Sequence, residues 1–119
     1  MSHSAIADDY EESCGEITPF LYSVPDLRVS SGLARRNVGS PTAMRGPGAV
    51  PGLYALESAM NELAHKLDID PVEFRLMSEP KVDESSGLPF SSWHFVECLK
   101  TCAEKFGWAQ RTPAIGSMK

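Results

Sequence analysis

Residues 39 to 52 read Gly-Ser-Pro-Thr-Ala-Met-Arg-Gly-Pro-Gly-Ala-Val-Pro-Gly, and seven of these fourteen are glycine or proline. Proline fixes φ and withholds an amide donor, while glycine admits backbone that other residues avoid. Such a stretch is irregular backbone, and three prolines make it stiff where a glycine–serine linker would be slack. A stiff, irregular loop is the kind that holds a ligand. It runs into a helix, because Leu53, Leu56, Met60, Leu63 and Leu67 recur at spacings of three and four. Pro51 suits the first turn, where its missing N–H costs nothing.

The flanks are read from that landmark. Residues 1–16 are polar and acidic, without an apolar period, and read as an arm. Ile17 to Val24 is aromatic and branched and is closed by Pro25-Asp26, a strand signal; a second extended stretch is expected from Leu27 to Val38. The helix after the loop ends near Asp68-Ile69. Asp70-Pro71-Val72-Glu73 then places an N-cap, a proline at the first position and an acid where a capping box has one, so a short helix runs to about Glu79. Ser91 or Ser92 can cap a third helix, with Val96, Leu99, Ala103 and Phe106 inward and Gly107 as its stop. The expected fold is α+β: strands within 17–38, the loop at 39–52, helices within 53–109 and a loose tail at 110–119, all in one domain.

Composition excludes some functions. A net charge of −5 lacks the basic footprint of a nucleic-acid binder. No run approaches the ~20 apolar residues of a membrane span. Met1 to Ala5 lacks the basic and apolar regions of a signal peptide. Three cysteines, Cys14, Cys98 and Cys102, make an odd count without C-x-x-C spacing, so reduced thiols and a cytoplasmic setting are expected, with a periplasmic one if a partner subunit carries the export signal.

Met44-Arg45-Gly46-Pro47-Gly48 combines glycines, a cation and a helix N-terminus, whose dipole favours negative charge. The residues alone leave two readings open, an anion-binding loop and a rigid turn before a helix. His94, Cys98 and Cys102 recur every four residues, but His94 and Cys102 would stand about 12 Å apart along a helix, too far to share one ion. Buried or partly buried thiols are the plainer reading there. Cys14 has no evident base beside it, and Glu57 and Glu62 read as a solvated helix face. Trp93 and Trp108 flank the third helix as packing residues.

A succession of short strings resembles one family. It runs from Asp8-Asp9-Tyr10-Glu11-Glu12 through Phe20-Leu21-Tyr22-x-Val24-Pro25-x-Leu27-Arg28 to Pro41-Thr42-x-Met44-Arg45-x-Pro47-Gly48. It continues at Ala55-Leu56-Glu57-Ser58-Ala59-Met60-x-Glu62-Leu63-Ala64, Asp70-Pro71-x-Glu73-x-Arg75-Leu76, Pro89-Phe90-Ser91-Ser92-x-His94 and Glu104-Lys105-Phe106-Gly107-Trp108. Together these strings resemble the molybdenum-cofactor-binding large subunit of the xanthine dehydrogenase and aldehyde oxidoreductase family, over most of residues 8–118.

The resemblance implies that Met44, Arg45, Gly46 and Gly48 lie at a molybdenum–pterin (molybdopterin) cofactor, with the Arg45 backbone amide near the metal. It implies a substrate-pocket role for Pro47. Purine-oxidising members tend to have an aromatic there, so an aldehyde substrate is expected. The implied reaction is hydroxylation of an aldehyde or related heterocycle, with electrons leaving through iron–sulfur and flavin subunits. The family's catalytic glutamate has no match here, so no catalytic residue is assigned, and the chain is expected to be a partial domain that binds no cofactor and is inactive alone. Its expected partner is the rest of the subunit, with a homodimer through exposed apolar faces as another arrangement. The alternative function is a non-catalytic interaction or anion-binding module.

Overall fold

A computed structural model describes residues 12–32, 42–114 and 116–117. The described residues form four helices, α1 (Thr18–Leu21), α2 (Ala49–Lys66), α3 (Pro71–Met77) and α4 (Phe95–Phe106), followed by a 3-10 turn at Trp108–Gln110. The α+β expectation is corrected: there is no strand among the described residues. Residues 17–24 make the single turn α1 and then an irregular run. Strand propensity reports fitness for a pleated, half-buried surface, and no neighbouring strand supplies one here. Ser23 N–H donates to the Ser78 carbonyl at 2.8 Å, and Tyr22 docks on helices, its hydroxyl on Glu57 of α2 and its ring against Phe95 of α4. Residues 27–32 are exposed and irregular, and 33–38 lie outside the described residues.

The three main helices fall close to the expected places, because their ends are set locally. After Lys66 the chain closes with Asp68 N–H on the His65 carbonyl (3.2 Å) and Ile69 N–H on the Ala64 carbonyl (3.0 Å). That is the paired C-terminal bonding usually built around a glycine, with Asp68 at φ 55° in the left-handed position. Asp70 caps α3 by accepting from the Val72 and Glu73 amides. Neither Ser91 nor Ser92 caps α4; its N-cap is His94, which makes no side-chain capping bond. Gly107, at φ 74°, ends α4 as expected.

Asp70 does more than cap. Its other carboxylate oxygen accepts from Trp108 Nε1 at 2.9 Å and Arg111 at 2.8 Å, and the Arg111 guanidinium lies 3.5 Å from the centre of the Trp108 ring. One carboxylate therefore ties the start of α3 to the end of α4, and the chain from Gln110 to Arg111 is anchored where a loose tail was expected. Desolvation pushes the Asp70 carboxyl up, but the hydrogen bonds from Trp108, Val72, Arg111 and Glu73 outweigh it and hold its pKa below the ordinary 3.8. A depressed carboxylate contributes stability above its unfolded-state pKa and loses it as pH falls through the folded value. Urea midpoints of the wild-type chain should therefore fall as pH drops below about 4. Asp70→Asn should already be less stable at neutral pH and should lack that increment; an unchanged acid profile would remove Asp70 from this role.

The interior is thin. Among the described residues the buried apolar side chains are Ile17, Tyr22, Ala64 and Pro80, and the accessible surface is 9155 Å². Mass scaling gives ~6300 Å² for a compact monomer of this size. The covered face of α2 runs through Gly52, Glu57, Met60 and Ala64, so the leucine stripe is only partly covered: Leu53, Leu63 and Leu67 are exposed. The clearest apolar cluster is a row of rings. Phe90 stacks on Trp93 (centroids 4.2 Å), Trp93 leans on Phe95 (5.7 Å), and Phe95 meets Tyr22 edge-on (6.4 Å).

Candidate functional site

The loop anticipated from its glycines and prolines lies at the N-terminus of α2. Met44, Arg45, Gly46 and Pro47 are exposed, and Gly48 is buried. Gly46 and Gly48 take φ of 73° and 71°, the left-handed region that side chains rarely enter. Val50 N–H donates to the Gly46 carbonyl and Gly52 N–H to that of Gly48, so the helical ladder begins inside the loop. The N-cap Gly48 has no side chain to satisfy the first amides of α2, and no acid stands in its first turn.

Gly48 and Gly52 have a further task. A Cβ on Gly48 would stand 2.9 Å from the Ser13 carbonyl carbon, and one on Gly52 would stand 3.0 Å from that of Cys14 and closer still to its oxygen. Two glycines one turn apart thus cut a notch in α2, and the backbone of Ser13-Cys14 lies in it. The outer part of the loop is presented while its root is clamped. Ser13 and Cys14, expected to belong to a polar loop or arm, supply the clamp; residues 1–11 lie outside the described residues.

Farther along α2, Glu57 departs from its expected place on a solvated face. It is half-buried and joins three elements. Arg75 of α3 donates to Glu57 Oε2 from Nε (2.8 Å) and Nη2 (2.5 Å), and its Nη1 donates to the Pro71 carbonyl (2.9 Å). Tyr22 Oη donates to Glu57 Oε1 at 2.5 Å. Burial, then the bond to Glu57 and its charge, push the Tyr22 phenol well above the usual tyrosine range, against the opposing pull of Arg75. A phenol held protonated this way is a fixed donor, so the triad is a structural brace. Sequence reading missed it because its members are 35 and 18 residues apart. Glu62 does lie on an exposed face.

The cysteine expectation is corrected in part. Cys98 and Cys102 are free and exposed, and Cys14 is half-buried. His94 Nδ1 lies 3.1 Å from Glu97. No group of three or more His, Cys, Asp or Glu residues that could hold a metal ion occurs among the described residues. No helix among them is long and apolar enough to cross a membrane.

Against known proteins, the profile of the molybdopterin cofactor-binding domain matches residues 4–78. The chain is 40% identical over 109 residues to the aldehyde oxidoreductase molybdenum-binding subunit PaoC of Escherichia coli (strain K12), covering 91% of this chain and 15% of that protein. It is 33% identical over 100 residues to the putative xanthine dehydrogenase molybdenum-binding subunit XdhA of the same strain, covering 82% and 13%. It is 26% identical over 96 residues to aldehyde oxidase 3 of Mus musculus, covering 79% and 7%. The chain thus spans about a seventh of the length of the bacterial relatives it matches.

Proposed function

Because the chain belongs to the molybdopterin cofactor-binding domain family, we propose that it is one portion of a molybdenum-binding subunit that oxidises aldehydes, and that Met44 to Gly48 form a wall of the cofactor site. The observation that carries this reading is the loop itself, exposed at residues 44–47 and clamped at its root by Gly48 and Gly52. The donor set fits an anionic cofactor: backbone amides at the positive end of an 18-residue helix, the Arg45 cation, and no acid in the first turn. When bound, the molybdenum–pterin group supplies the two-electron oxidation that side chains cannot perform.

The chain's own residues position and shape. The Arg45 backbone amide donates toward the cofactor, and Gly46 lets the backbone come close. Gly48 fixes where the loop meets α2. Pro47 narrows the substrate side without offering a flat ring, which suits an aldehyde better than a purine, and the higher identity to an aldehyde oxidoreductase subunit than to a xanthine dehydrogenase subunit supports the same choice. The base that activates the attacking water comes from elsewhere in the subunit, so this portion alone is inactive. Iron–sulfur and flavin subunits take up the electrons.

Two substitutions in the complete subunit separate a backbone role from a side-chain role at residue 45. Arg45→Ala keeps the amide, and bound molybdenum and pterin should stay near wild-type content. Arg45→Pro removes it, and content or turnover should fall by roughly tenfold, the scale seen when an outer contact to a metal site is lost. Equal behaviour of the two variants would refute the amide contact.

A further inference from the structure

Cys98 and Cys102 take no part in the loop, the brace or the Asp70 junction. They stand one turn apart on α4, inside its 12-residue span, and both thiols are free and exposed. Residues four apart on a helix have Cβ atoms about 5–6 Å apart. A disulfide asks for about 3.5–4.5 Å, so this pair cannot close one without unwinding the helix. A bridging ion has no such difficulty. Metal–thiolate bonds of about 2.3 Å let a two-coordinate ion span up to about 4.6 Å between sulfurs.

The surroundings limit the ligand count to two. His94 stands two turns from Cys102, about 12 Å along the helix and too far to share one ion with it, and no third His, Cys, Asp or Glu completes a cluster among the described residues. On its other side Cys102 borders an apolar groove of about 380 Å³ with Leu99, Ala103, Phe106 and Trp108. Among the described residues the pair falls short of the four ligands of a structural tetrahedral zinc site. Two soft sulfurs and nothing else select a soft ion content with two bonds. We propose that Cys98 and Cys102 form a two-thiolate site for a monovalent thiophilic cation of the copper(I) class. Binding forms two sulfur–copper bonds, releases one proton from each thiol to solvent, and changes no oxidation state. The two thiols already sense each other: the hydrogen bond with Cys102, then the charge repulsion between them, holds the Cys98 thiol above the usual cysteine value.

The test is anaerobic titration of the reduced 119-residue chain with copper(I) against a chromophoric copper(I) chelator. One ion per chain should bind, and Cys98→Ser and Cys102→Ser should each weaken it by roughly a hundredfold, because the second thiolate binds intramolecularly. Cys14→Ser should bind as wild type does. Circular dichroism of each variant checks that the helices persist, and Cys98→Ala, which favours helix, must reproduce Cys98→Ser. Retained affinity in either α4 variant, dependence on Cys14, a copper-bridged dimer on size exclusion, or no bound copper would each overturn the assignment.

Discussion

Gly52→Ala should destabilise this chain, although the same change inside a helix ordinarily stabilises it. Alanine gains about 1 kcal/mol over glycine in a helix interior. At Gly52 the added methyl would run into the Cys14 carbonyl, and the obstacle is backbone, which cannot swing aside. Forcing such contacts costs about 1–3 kcal/mol where the structure can shift, and more where it cannot. The expected net result is a loss of about 2 kcal/mol in urea unfolding, with Ser13-Cys14 displaced from the notch and amide exchange faster near the root of the loop. Ser58→Ala, on the same helix, is the control and should be neutral or slightly stabilising. A rise in stability for Gly52→Ala would show that the notch is empty in solution.

Arg75→Met should be the second large loss. It strands the Glu57 carboxylate, half-buried, with Tyr22 as its remaining side-chain donor. Breaking a fully buried pair costs about 3–5 kcal/mol. Glu57 keeps 35% of its side-chain surface exposed against 11% for Arg75, so water recovers part of that cost and about 2 kcal/mol is expected. Glu57→Gln added to Arg75→Met should restore a portion, because the stranded charge disappears. Tyr22→Phe should cost about 1 kcal/mol, the net value of one hydrogen bond. Measured as a double-mutant cycle, Arg75 and Glu57 should couple; strict additivity would mean that solvent screens the pair completely.

What could be read in advance divides by the distance over which it is encoded. Asp70-Pro71-Val72-Glu73 carries a whole helix start within four residues, and Gly107 carries a stop in one, so α3 and the end of α4 were legible. The irregular course at 42–48 was legible as well, because glycine and proline act on their own backbone, but α2 begins at Ala49, so residues 49–52, expected to be loop, are its first turn. The strand expected at 17–24 failed for the opposite reason. Aromatic and branched residues announce burial, but whether they are buried by a paired strand or by helices depends on α2 and α4, which lie far along the chain. The leucine stripe of α2 announced an inward face, and Tyr22 and Arg75 drew the Glu57 face inward instead. Gly48 was anticipated for its backbone freedom. Its closeness to Ser13 could not be, since nothing within ten residues of Gly48 announces that contact.

The notch cut by Gly48 and Gly52 also separates what must stay constant from what is free to change. The course of the loop is set by backbone at its root, while Met44, Arg45 and Pro47 project outward and carry little of the folding energy. Single exchanges at those three positions can alter the exposed surface of the loop at small cost in stability. A lineage built on this scaffold can therefore accumulate point changes on the outer loop without first evolving a more stable frame to absorb them.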